Sequence, residues 1–264
     1  MKSEQISFVV YYEKKEQYGV LGRIKVEVCI NCDSAQNVED SVAAAYAGGA
    51  ATVELCSAMH FDGLTPSNEQ IIAARSAFRD RPGLLAMIRP RQGDFSYCQE
   101  EITAMQRQIE AAAAAGANGV VFGALQENDR CLALDVCRQL IQTSQAHQLQ
   151  PCFHRAFDAT PDPLVTLDQL IDLRVERVLT SGVAWGHQGT AAEGIDRLKQ
   201  IIERARGEIE VVIGGGIKPT NVAGILQKLP VDSGPISVHA FSGVQENGET
   251  TERAVRSLVD AVHK

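Results

Sequence analysis

From Val26 to its end, the chain repeats one pattern eight times: a short apolar run, then a stretch with helical periodicity. The runs read as strands around Val26–Ile30, Ala51–Leu55, Leu84–Ile88, Gly119–Phe122, Pro151–His154, Arg177–Leu179, Glu210–Ile213 and Ile236–Val238. Several are apolar almost throughout, as strands covered on both faces are. Between them the period lengthens to that of a helix. Ile102, Met105 and Ile109 make one stripe, and Leu132, Val136 and Leu140 another. Ile195, Leu198 and Ile202 make a third, and Val255, Leu258, Val259 and Val262 the last. Ser67 and Gln70 have capping-box spacing, and Asp33 or Ser34 is placed to cap the first helix. Strand–helix alternation implies parallel strands joined by right-handed crossovers. Eight repeats favour a closed barrel over an open sheet. The expected fold is α/β, a single-domain (β/α)8 TIM barrel.

Length agrees, because such barrels run to about 250 residues and this chain has 264. The barrel is expected over residues 25–264. Residues 1–24 read as an N-terminal extension, since the charged run Glu13 to Gln17 suits no core, although Phe8 to Tyr12 has strand character. A net charge of −8 argues against general nucleic-acid binding, which needs a basic surface. No apolar run approaches the ~20 residues of a membrane helix, and Met1 to Ile6 lacks the basic start of a signal peptide. The reading is cytoplasmic, with no membrane partner. Seven cysteines, an odd number, fit reduced thiols better than a disulfide framework. Without CxxCH, or GxGxxG between a strand and a helix, no nucleotide, haem or flavin is expected. A homo-oligomer stays open.

Polar residues gather where the strands stop, and in a parallel barrel those ends form the functional face. Glu27 and Cys29 share one side of the first strand, and Glu54 and Cys56 repeat that spacing on the second. Facing inward, they would bring two carboxylates and two thiols together. Thiolates select Cu(I), and Cys with His suits Zn(II); the alternative is that both cysteines fill barrel layers. Buried glutamates need a partner, which Arg89 or Arg91 would supply. Cys29-Ile30-Asn31-Cys32 has CxxC spacing but straddles a strand end, so it carries little weight.

The loop with Arg89, Arg91 and Asp94 can hold a carboxylate or phosphate in a fork, or form a salt-bridge network with Asp94 and Glu101. His154, four residues before Asp158, reads as a general base or metal ligand oriented by that acid, or as a hydrogen-bonded structural residue. Ser181 ends the sixth strand. Gly214, Gly215 and Gly216 end the seventh, and His239 with Ser242 ends the eighth, the loops where phosphate-binding barrels hold their anion. Glycines there also make tight turns.

Several segments carry a resemblance: Glu27-Val28-Cys29, Val53-Glu54-Leu55-Cys56, Gly63-Leu64-Thr65-Pro66-Ser67, Met87-Ile88-Arg89-Pro90-Arg91 and Gly93-Asp94-Phe95. Phe153-His154-Arg155-Ala156-Phe157-Asp158, Leu179-Thr180-Ser181-Gly182 and Gly214-Gly215-Gly216-Ile217 continue it. In this order they resemble the CutC family, from about Val26 to His263. The resemblance implies a TIM barrel and cytoplasmic copper handling, with Cys29 and Cys56 matching the cysteines proposed to bind Cu(I). Asp62 stands where the family often has Gly, and Cys32 is outside its usual pattern. Two readings stay open. One is a copper homeostasis protein binding Cu(I) through Cys29 and Cys56. The other is an enzyme acting on a small anionic or phosphorylated metabolite, with copper binding incidental. In the second, Glu27, Glu54, Arg89, His154 and Asp158 are catalytic candidates sharing one pocket. Arg91, Ser181, Gly214, Gly215, Gly216, His239 and Ser242 would bind the anion.

Overall fold

The computed structural model describes residues 24–34 and 37–264. The expected N-terminal extension therefore lies outside the described residues, Ile24 excepted. Eight parallel strands close into a barrel in chain order. They are β1 (Lys25–Asn31), β2 (Thr52–Cys56), β3 (Leu84–Met87), β4 (Gly119–Phe122), β5 (Gln150–Phe153), β6 (Arg177–Thr180), β7 (Glu210–Ile213) and β8 (Ile236–Ala240). One helix follows each: α1 (Val38–Gly48), α2 (Asn68–Phe78), α3 (Gln99–Ala114), α4 (Leu134–Ala146), α5 (Pro163–Asp172), α6 (Ile195–Ala205), α7 (Val222–Leu226) and α8 (Glu252–Val262). This is the (β/α)8 TIM barrel. Among the described residues, no helix is long and apolar enough to cross a membrane.

Strand side chains alternate. Val26, Val28, Ile30, Val53 and Leu55 bury outward in the core shared with the helices. Inward, Glu27, Glu54, Leu85, Val121, Cys152 and Arg177 surround a void of about 10 Å³, room for at most one water. A barrel packed this tightly is not a channel.

Ile102, Met105 and Ile109 of α3 are buried as their spacing requires, and so are Leu198 and Ile202 of α6. The expected stripe at Leu132 shifts. Leu132 precedes α4 and pairs with Leu125 in an isolated bridge, so α4 buries Cys137, Leu140, Ile141 and Ser144 instead. The Ser67–Gln70 capping box forms. Asp33 does not cap α1; Asn37 does, accepting the Asp40 N–H at 2.7 Å. Asp33 instead accepts the Ala58 N–H at 2.6 Å and a Gln70 amide at 3.0 Å, which braces the loop after β2.

The interior holds a buried ionic network. Arg177 Nη1 donates to Glu27 Oε2 at 2.6 Å, and its Nε lies 3.3 Å from Glu210 Oε2. Thr52 donates to Glu27 at 2.9 Å, and Ser237 donates to Glu210. Replacing one partner of such a network leaves uncompensated buried charge. Arg177→Met should lower stability by about 3–5 kcal/mol in urea denaturation. Adding Glu27→Gln and Glu210→Gln should recover most of that loss. A loss below about 1 kcal/mol would mean the network contributes nothing specific.

Candidate functional site

Glu27 and Cys29 face the barrel axis from β1, as Glu54 and Cys56 do from β2. The register sets Cys29 opposite Glu54 and Asn31 opposite Cys56. Cys29, Cys56 and Met87 form a buried cluster, with Met59 and Phe241 packed against it. Two thiols and two thioethers thus meet at the mouth. Gly63 permits the approach: at φ +88° it lies where a Cβ would stand 3.3 Å from Cys56 Sγ.

β8 brings His239 to the same place, opposite Glu27. His239 Nδ1 lies 2.9 Å from Glu27 Oε1, and Nε2 lies 3.6 Å from Glu54 Oε2. Cys29 Sγ, a Glu54 oxygen and a His239 ring nitrogen all lie within 4.8 Å of one another. With Nδ1–H committed to Glu27, Nε2 is the nitrogen left for chemistry. A carboxylate fixing the far nitrogen is the usual support of a metal-binding imidazole.

The charges follow from these contacts. Burial opposes ionisation of Glu27, but the Arg177 and His239 charges and their hydrogen bonds hold its pKa well below the usual range. Glu54 has equal burial and no arginine contact. Burial, with the nearby Cys29 and Glu27 charges, pushes it up to about 8 against the pull of His239. The Cys56 hydrogen bond is the main cause that lowers Cys29 to about 6, opposed by burial and aided by His239. Cys56, as donor to that thiolate and buried, is held well above its ordinary value. For His239, burial works against charge, but the Cys29 and Glu27 hydrogen bonds and the Glu54 charge raise it well above normal. Near neutral pH the centre is therefore a thiolate–imidazolium pair above an ionised Glu27.

Other candidates lie elsewhere. Arg89 does not pair with the glutamates: beyond the end of β3 it donates to the carbonyls of Phe61 at 2.7 Å, Gly63 at 3.2 Å and Gly93 at 2.9 Å, tying two loops together. Arg91 pairs with Asp94 at 2.9 Å and Glu101 at 2.5 Å, the salt-bridge alternative. Of the two glutamates only Glu27 meets an arginine, and it is Arg177. His154 and Asp158 do not orient one another. A 3₁₀ turn, Arg155–Ala159, swings Asp158 toward β6, where it accepts from Thr180, Arg155 at 2.8 Å and the Ser181 N–H at 3.0 Å. His154 Nδ1 accepts the Ala156 N–H at 3.1 Å, and burial with the Arg89 charge lowers its pKa to about 3. Cys32 points away from the mouth chemistry, its thiol pushed up to about 12 mainly by burial. Gly214 packs against His239 and Leu179, Gly215 against Ser181, while Gly216 and Ser242 line a separate cavity.

Arg177, Met59, Met87 and the inward role of His239 went unread in the sequence. Arg177 had a signal, a lone cation opening an apolar strand. His239 had one too, since it is two residues beyond the inward Ser237. Met59 sits in a loop with no periodicity to reveal it.

Thiolate absorbance at 240 nm should show one ionisation with a midpoint near pH 6 that is absent in Cys29→Ser. In His239→Gln the midpoint should move up toward the ordinary ~8.5. No ionisation below pH 8 in the parent protein would contradict the thiolate–imidazolium pair.

The CutC family model matches residues 24–242. A CutC family protein of Vibrio campbellii is 42% identical over 207 residues, 78% of either chain. One from Bacteroides fragilis is 41% identical over 237 residues, covering 90% of this chain and 88% of the relative. The crystal structure of a CutC from Streptococcus agalactiae, named for copper homeostasis, is 29% identical. It superposes with a TM-score of 0.71 over 84% of this chain and 100% of its own. The chain, with its inward cysteines, belongs to the CutC family.

Proposed function

We propose that the protein serves copper homeostasis by binding Cu(I) at the barrel mouth through Cys29, Cys56 and His239. The observation that carries this reading is the burial of a soft donor set. Cys29 and Cys56 are each 2% exposed, and Met59 and Phe241 lie against them. An ion reaches such a site more readily than a metabolite does. Thiolate and thioether sulfur favour Cu(I) over harder cations. Glu27 fixes the imidazole, as a carboxylate behind a metal ligand does. Free thiols at all seven cysteines fit a cytoplasmic setting, and the S. agalactiae relative carries the copper homeostasis name.

Ion uptake must displace protons from Cys56 and from His239 Nε2, since ligands bind deprotonated. Cys29, already ionised above about pH 6, contributes none near neutrality. Competition against a Cu(I) chelator should give one ion per chain, with affinity rising as pH increases from 6 to 8. The Cys29→Ser, Cys56→Ser double variant should lose the site. Unchanged stoichiometry and affinity in that variant would remove both cysteines from the role.

A second reading rests on the order Cys29, His239, Glu27, which is that of nucleophile, base and orienting carboxylate. On it the protein is an enzyme acting on a small anionic metabolite, and copper occupies its thiol site incidentally. A metabolite screen by thermal shift, with and without Cu(I), separates the two. Binding to the native state raises the melting temperature. The copper reading expects a rise with Cu(I) alone, and the enzyme reading expects a metabolite to raise it without copper.

A further inference from the structure

We propose that the loops after β7 and β8 form a binding site for the phosphoryl group of a small phosphomonoester. Gly216, Ile217, Lys218, Asn221, Ser242 and Gly243 bound a cavity of about 280 Å³ there. That is slightly below the ~300 Å³ at which pockets for drug-sized ligands begin, so it suits a small metabolite. Gly215 and Gly216 are both left-handed, at φ +93° and +72°. Successive residues in such turns point their N–H groups into one concavity, which attracts anions. The two loops touch only because side chains are missing. A Cβ on Gly243 would stand 2.0 Å from the Ile217 carbonyl oxygen, and one on Gly216 would stand 2.7 Å from Thr190 Cγ2.

The hydrogen-bond ledger of these loops is one-sided. Their carbonyls are tied back: that of Gly215 accepts from Ala191 N–H at 2.9 Å, and that of Gly216 from Asn221 Nδ2 at 2.8 Å. Asn221 also accepts the Lys218 N–H at 2.9 Å. The N–H groups of Gly216, Ile217, Ser242 and Gly243 donate to no protein group among the described residues. Ile217 is only 2% exposed, and buried backbone donors are seldom left unpaired. Lys218 lines the same cavity and forms no ion pair among the described residues. The Glu193 carboxylate, bonded to the cavity residue Thr190, is committed to that residue's N–H and hydroxyl.

Four amide donors and an ammonium, with their acceptors withdrawn, match the terminal oxygens of a phosphate dianion better than any neutral group. Gly214, first in the same loop, packs on His239: a Cβ there would stand 3.6 Å from the imidazole Cδ2. A phosphomonoester held here would extend its organic part toward His239 and Cys29. That last extension rests on the enzyme reading; the anion site itself does not.

The test uses the full chain, ¹⁵N-labelled, titrated with glycerol 3-phosphate and, in parallel, with inorganic phosphate and with chloride at matched ionic strength. The amide signals of Gly216, Ile217, Ser242 and Gly243 should shift saturably with the phosphomonoester and not with chloride. Lys218→Gln should weaken that binding about five- to tenfold through the lost charge-assisted bond. No saturable shift at those amides, or equal affinity in the Lys218→Gln, Ser242→Ala double variant, would overturn the site. Phosphomonoester binding intact while Cys29 titrates like an ordinary thiol would uphold the site and refute the enzyme reading alone.

Discussion

The chemistry at the barrel mouth depends on one carboxylate staying ionised in the interior. Glu27 does so because Arg177 and His239 share it from opposite sides. A buried charge left alone costs several kcal/mol, and close, hydrogen-bonded partners offset that cost. Glu54 is the internal comparison. It is as deeply buried as Glu27 but lacks an arginine contact, so desolvation wins and it titrates near 8. From the ionised Glu27 the rest follows in sequence. Nδ1 of His239 is fixed, Nε2 turns toward Cys29, and the resulting cation helps the Cys56 hydrogen bond hold Cys29 as a thiolate.

The face is divided by His239. On the β1–β3 side lie sulfur atoms, covered and nearly inaccessible, suited to a soft ion held without water. On the β7 side lies an open cavity bounded by Gly216, Lys218, Asn221 and Ser242. Gly214 is the seam between them, since it packs on the imidazole while starting the loop that bounds the cavity. The ionic floor beneath, Glu27–Arg177–Glu210, joins β1, β6 and β7 across the barrel interior.

The barrel was legible because its signals are periodic. Apolar runs and helical stripes recur along the whole chain, and the predicted strands match the observed ones to within a few residues at their ends. Period two alone puts Glu27 with Cys29, and Glu54 with Cys56, on one face of their strands; that this face is the inward one is set by the closed barrel. What could not be read was partnership across long sequence separations. Arg89 stands nearer in sequence to Glu54, yet the arginine that meets Glu27 is 150 residues away from it on β6. Barrel closure makes that contact, and no local pattern announces it. Likewise the spacing of His154 and Asp158 looked like an orienting pair, but the 3₁₀ turn between them sends the acid to Thr180 and Ser181. His239 was assigned to the anion loop by its position at the end of β8. The β1–β8 register places it opposite Glu27 instead.

X-ray absorption at the copper edge of Cu(I)-loaded protein tests the central account most directly, because it reads the atoms around the ion. Two sulfur scatterers and one imidazole nitrogen are predicted, with one sulfur lost in Cys29→Ser and the nitrogen lost in His239→Gln. A shell of oxygen and nitrogen alone, or a sulfur shell unchanged by Cys29→Ser, would contradict a copper centre built on Cys29, Cys56 and His239.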